Sequence, residues 1–270
     1  MKSRVARYFF MKLFIPAFLL CIIALFACNK HDPLPAADPK DSLYCYIMAG
    51  QSNIAGRGRI EAQDTVTDPR ILMLDSSDQL VMAEEPLHRY QQSIAGLDCG
   101  MSFARTLLPA VSPQAKIAMI PCAVGSSSIE DWLGDSMRIV PLYSNLIRRA
   151  AKAGLSGRLK GILWHQGEAN AEDSTYKTYQ VHLTAFIAQT RQDIGITDLP
   201  FFIGKLGAFS KRIYRDSINA AIDRIATSVP HVFVIETDDL SGNPDSLHFD
   251  SKALRILGQR YARVAAGQLH

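Results

Sequence analysis

From Ser42 onward, short apolar runs alternate with longer segments of helical periodicity, and this alternation limits the folds open to the chain. Leu43 to Ala49, Lys116 to Pro121, Gly161 to Trp164, Phe201 to Gly204 and Val232 to Ile235 each read as a strand. Such runs are too short for helices and too continuously apolar for half-exposed strands, which points to burial on both faces. Between them lie predicted helices over Met101 to Val111, over Met137 to Ala153 with Gly154 as the stop, and over Ile213 to Ser228. Another helix has Tyr176, Tyr179, Leu183, Phe186, Ile187 and Thr190 on one face, with Asp173 or Ser174 as its cap. The last follows Asp250, with Leu254, Leu257, Tyr261 and Val264 at helical spacing. Ile71 to Leu74 and Leu80 to Ala83 flank a turn sequence and are expected to form a hairpin. Strands separated by helices imply parallel pairing with right-handed crossovers, and therefore a three-layer α/β/α sandwich with a mostly parallel sheet.

In such sheets ligands bind beyond the carboxyl ends of the strands. Four polar segments qualify: Gly50 to Asn53, Ala123 to Ser128, His165 to Asn170 and Asp245 to His248. Ser52 directly follows a strand and is placed to point into the cleft as a nucleophile, although a serine there is equally a helix cap. Asp245 and His248 are three residues apart in a predicted loop. That offset lets a carboxylate hold one imidazole nitrogen while the other faces a serine, the orienter–base–nucleophile arrangement. Glu168 is a second acid available to His248, and Gln166 carries an amide within reach of a developing oxyanion. Gly125 lets its N–H approach a ligand closely. His165, Glu168 and His248 also invite a metal reading, but no histidine pair has helical spacing, and a site with no metal or organic cofactor is expected. His31, His88, His182, His231 and His270 lie in the linker, a loop, a solvated helix face, a strand approach and the terminus, and are weaker candidates.

Taken together, these segments resemble the SGNH hydrolase superfamily, and within it the branch of sialate O-acetylesterases and acetylxylan esterases, carbohydrate esterase family six. The resemblance covers roughly residues 43 to 266 and includes Ile54-Ala55-Gly56-Arg57-Gly58 after the first motif. It implies a flavodoxin-like fold and a serine esterase acting on O-acetyl groups of carbohydrates such as xylan or sialic acid. By resemblance Ser52 is the nucleophile and His248 the base, with the Ser52 and Gly125 N–H groups and the Gln166 side chain as the oxyanion hole. The third member of the triad stays open between Asp245 and Glu168. The alternatives are a glycan-binding lipoprotein of the same fold without activity and an esterase for non-sugar esters.

Composition supports one domain: of 270 residues, 48% are apolar and 20% charged. The formal net charge of +3 does not mark a nucleic-acid surface. Lys2, Arg4, Arg7 and Lys12 precede an apolar run from Leu13 to Ala27, and without residues 1–27 the net charge is −1. Residues 1–27 read as an export signal. Leu25-Phe26-Ala27-Cys28 resembles a lipobox, which makes Cys28 the lipidated first residue of a mature, membrane-anchored protein facing the periplasm or cell surface. An ordinary signal peptide or an uncleaved anchor is the other reading. Residues 28–41, with Pro33, Pro35 and Pro39, form the tether, and residues 42–270 the esterase domain. Cys45, Cys99 and Cys122 remain, an odd number, and are expected as free thiols, Cys45 and Cys122 buried in or beside strands.

Overall fold

A computed structural model describes residues 39–136 and 139–269. Its sheet is built from β1 (Leu43–Gly50), β2 (Ile71–Leu74), β3 (Leu80–Met82), β4 (Lys116–Pro121), β5 (Arg158–His165), β6 (Phe201–Gly204) and β7 (Val232–Ile235). The spatial order is β3-β2-β4-β1-β5-β6-β7. All neighbours pair in parallel except β2 and β3, which form the expected antiparallel hairpin. The helices are α1 (Ser52–Ala55), α2 (Gly100–Leu107), α3 (Ile129–Leu133), α4 (Leu142–Ser156), α5 (Tyr179–Ile194), α6 (Arg215–Ser228) and α7 (Ser251–Ala266).

The central strands are apolar throughout because both faces are covered, yet their residues still sort by the two-residue period of a strand. In β1, Cys45, Ile47 and Ala49 face one core with Trp132 of α3, Leu146 of α4, Phe186 of α5 and Ile222 of α6. Tyr46 and Met48 face the other, with Ile54 of α1, Phe103 of α2 and Leu257 of α7. Trp164 anchors the first core, its ring 4.7 Å from Phe186 and 5.3 Å from Trp132 between centroids. Full burial of side chains this size contributes roughly 1.5–3 kcal/mol each.

Helix borders differ from expectation for local reasons. The helix expected from Met137 begins at Leu142 behind Pro141 and runs past Gly154 to Ser156. Pro109 converts the end of the helix expected over Met101 to Val111 into a tighter turn over Leu108–Ala110. Asp173 caps, as anticipated, but the turn it caps is Ser174–Lys177, separate from α5. Cys45, Cys99 and Cys122 are buried free thiols. Residues 1–38, on which the expected export signal, the expected lipidation site Cys28 and most of the expected tether fall, lie outside the described residues.

β1 has neighbours reached by crossovers in both directions, so the crevice beyond its carboxyl end is the topological switch point. The strand ends there on Gly50, whose φ is +128°. A Cβ at Gly50 would stand 2.1 Å from the carbonyl oxygen of His165. Only glycine lets β1 and β5 close up at this point, where the Gln51 N–H donates to that carbonyl at 2.9 Å. Gly50→Ala is expected to destabilise the protein by more than about 2 kcal/mol, read as a lower urea midpoint with an unchanged slope.

Candidate active site

Ser52 opens α1 directly after β1 and is 6% exposed. Its Oγ donates to His248 Nε2 at 2.9 Å, across 196 residues of chain. His248 Nδ1 lies 2.7 Å from Asp245 Oδ2. With the ring proton on Nδ1 shared with that carboxylate, Nε2 is the acceptor for the serine hydroxyl. The loop is shaped for this geometry. Ser246 takes a left-handed conformation (φ 54°), and Asp245 Oδ1 accepts the N–H groups of Leu247 at 2.9 Å and His248 at 3.0 Å. Partial burial works against ionisation of Asp245, but these hydrogen bonds outweigh it and hold the carboxyl below its ordinary range.

Glu168 occupies another environment. It is buried, and its Oε1 accepts from Asn53 Nδ2 at 2.5 Å. Asn53 Nδ2 also donates to the Leu247 carbonyl at 3.1 Å, and Asn53 Oδ1 accepts the Phe249 N–H at 3.0 Å. Glu168 thus reaches the His248 loop through Asn53, while Asp245 alone of the two acids bonds the imidazole. Burial raises the Glu168 pKa, and it lowers that of the equally buried His165 to about 3. A neutral His165 makes no ion pair with Glu168, whose Oε1 is 3.7 Å away, and its ring packs edge-on against Phe249. Among the described residues no three His, Cys, Asp or Glu side chains group around a cation site.

The amide of Gln166 is committed elsewhere than sequence suggested. Its Nε2 lies 2.9 Å from Asn170 Oδ1, 3.1 Å from the Ser127 carbonyl and 3.2 Å from Gln51 Oε1. Two hydrogens face three acceptors on a fully buried residue, so none is left for an oxyanion. Gln166 instead braces the loops after β1, β4 and β5. The Gly125 N–H also has an acceptor, Gln91 Oε1 at 2.9 Å. Gln91 and Asn53 carried no role in the sequence reading. Asn53 sits inside the serine motif, whereas Gln91 lies in a loop without periodic signal. His88, read as a loop residue, is buried with Nδ1 2.9 Å from Asp98 Oδ2. His182 meets Glu130 Oε1 at 2.9 Å, half-buried, where a solvated face was expected.

A cleft lined by Glu172, Lys211, Arg212 and Ile213 borders Asp245 to Leu247. Another hollow, lined by Ile147, Gly154, Arg158 and Ile194, opens at the start of β5, at the end of the sheet away from Ser52.

The family model described as "Carbohydrate esterase, sialic acid-specific acetylesterase" matches residues 42–267. The chain belongs to this family. It is therefore a carbohydrate esterase, and its reaction is hydrolysis of O-acetyl esters on sugars. A probable carbohydrate esterase of Arabidopsis thaliana is 26% identical over 238 residues, 81% of this chain and 88% of that one. A probable 9-O-acetyl-N-acetylneuraminic acid deacetylase of Escherichia coli K12 is 25% identical over 162 residues, 49% of this chain and 48% of that one. An X-ray structure of an Arabidopsis thaliana protein superposes with a TM-score of 0.76 at 25% identity, covering 86% of this chain and all of that one. A carbohydrate acetylesterase from Xanthomonas citri shares the fold with a TM-score of 0.63 at 20% identity, over 83% of this chain and 56% of that one.

The raised Glu168 pKa has a thermodynamic sign. A carboxyl that binds its proton more tightly when folded stabilises the fold below its unfolded pKa, about 4.3, and that stabilisation is lost as pH rises through the folded value. Glu168→Gln keeps the shape and the acceptor for Asn53 but does not titrate. Urea unfolding measured from pH 4 upward is expected to show wild-type stability falling above the ordinary glutamate range, and a flatter profile for the variant.

Proposed function

We propose that this carbohydrate esterase works as a serine hydrolase through an acetyl-enzyme, with Ser52 as nucleophile, His248 as general base and acid, and Asp245 as the group that orients His248. The observation that carries this reading is the unbroken chain from Ser52 Oγ through both nitrogens of His248 to Asp245 Oδ2. As Oγ attacks the acetyl carbonyl, His248 Nε2 takes its proton, and the imidazolium is stabilised by Asp245. Collapse of the tetrahedral intermediate breaks the bond to the sugar oxygen, which leaves with the proton from Nε2. Water then repeats the sequence on the acetyl-enzyme, with His248 as base, and acetate departs. Glu168 is assigned to positioning through Asn53. The substrates this reading favours are O-acetylated sialic acid, in keeping with the family description and the name of the Escherichia coli relative, or acetylated xylan, as the sequence resemblance implies.

Acetate release from such substrates tests the mechanism. Ser52→Ala is expected to lose on the order of thousands-fold or more in kcat. Asp245→Asn is expected to cost more than Glu168→Gln in kcat, since only Asp245 bonds the imidazole. Near-normal turnover by a folded Ser52→Ala protein would rule out the serine mechanism, and a larger loss for Glu168→Gln would exchange the roles of the two acids.

We also propose that Cys28 carries a lipid anchor after cleavage of residues 1–27, so that residues 28–41 tether the esterase to a membrane facing the periplasm or cell surface. The support is the sequence Leu25 to Cys28 followed by a polar, proline-bearing stretch. Cys28→Ser is expected to move the exported protein from the membrane fraction to the soluble one. Membrane retention without attached lipid would point to an uncleaved leader.

A further inference from the structure

Arg57 follows the turn that carries Ser52. Its Nη1 donates to the Gly56 carbonyl at 2.6 Å and its Nη2 to Gln91 Oε1 at 2.7 Å. Both acceptors are neutral, no carboxylate pairs with Arg57 among the described residues, and burial lowers its pKa. A partly buried guanidinium without a counter-charge is costly, and it is best satisfied by an anion or a developing one.

The oxygen it holds has a second donor, the Gly125 N–H at 2.9 Å. The Gly125 loop crosses the strand end just before Ser52: Val124 N–H donates to the Gly50 carbonyl at 3.2 Å, and the Ser127 hydroxyl reaches the same oxygen at 3.2 Å. Any side chain at 125 would fill this notch, since a Cβ would lie 2.3 Å from Arg57 Nη2 and 2.6 Å from Gln91 Oε1. An sp² amide oxygen, held by one backbone N–H and one guanidinium beside the nucleophile turn, has the shape and polarity of an ester carbonyl oxygen. Gln91 is only half-buried, and every hydrogen bond of its carboxamide runs through Oε1. Rotation of its side chain frees both donors.

We propose that Arg57 is a catalytic donor to the oxyanion, acting beside the Gly125 N–H, and that the Gln91 carboxamide occupies their shared pocket until the acetyl carbonyl displaces it. The proposal rests on the serine-esterase reading. It supplies the donor that Gln166 cannot, because the Gln166 amide is spent on its neighbours. A charged donor strengthens as the carbonyl oxygen becomes anionic, so it acts mainly on the transition state.

The test uses the full chain with p-nitrophenyl acetate, an uncharged ester, and phenylboronic acid, which forms a tetrahedral anion on an active serine. Arg57→Met is expected to lower kcat by about 10²–10³ with little change in KM. Boronate inhibition should weaken in parallel, and the melting temperature should stay near wild type. Gln91→Ala, which empties the pocket, is expected to raise kcat/KM a few-fold, whereas Gln91→Glu, which offers Arg57 a carboxylate, should lower it at least ten-fold. Wild-type kcat and boronate affinity in Arg57→Met would overturn the proposal, as would a defect confined to KM for acidic acetylated sugars, which would make Arg57 a carboxylate-binding group. If Arg57→Met unfolds, the Gln91 pair decides, and equal rates for Gln91→Ala and Gln91→Glu overturn it. An active Ser52→Ala protein would instead defeat the serine reading beneath it, so the two failures are distinguishable.

Discussion

One carboxamide ties the site together. Asn53 stands one residue after Ser52, and its side chain reaches Glu168 beyond β5 and the backbone on both sides of His248. Those bonds fix His248 relative to Ser52, and the network draws on three segments far apart in the chain. The requirement that all donors and acceptors in a buried region be satisfied does the positioning: Asn53 has one oxygen and two hydrogens, and each end is engaged. Displacing any segment would leave a buried polar group unpaired, at a cost of about 1–3 kcal/mol.

The two acids of the site show how environment divides labour between like groups. Asp245 sits at the surface in a turn that donates two backbone N–H groups to it, conditions that keep a carboxylate charged next to the His248 imidazole. Glu168 lies beneath, dry, beside a neutral histidine, conditions that favour its protonated form. Asn53 and Arg212 favour the charged form of Glu168, but desolvation outweighs them, and the acid that shares its oxygen with Asn53 is a rigid spacer.

Fold and motifs were legible in the sequence to different depths. Each core strand is an apolar run closed by glycine, proline or a polar loop, so strand positions could be read directly, and their alternation with helices gave the parallel sheet. Helix ends were less legible, because Pro141 and Pro109 set them through local stereochemistry that outweighs the apolar pattern. Ser52, Asp245 and His248 stood out because strand-end position and a three-residue offset are one-dimensional facts. The partners of Gln166 were not visible, since Ser127, Asn170 and Gln51 come from separate loops that only the register of β1, β4 and β5 brings together. Gln91 left no trace at all, being a polar residue in an aperiodic loop whose role depends on a contact 34 positions away.

The span of 196 residues between Ser52 and His248 has a consequence for the life of the chain. The strand that delivers the serine is central in the sheet and early in sequence, whereas the imidazole arrives with the segment leading into α7, which packs on α2 and is synthesised after every strand of the sheet. On the proposed serine mechanism, the hydroxyl has no base until that segment docks. By that mechanism a nascent or truncated chain is a silent precursor, and the appearance of esterase activity reports that the segment carrying His248 has closed against the rest.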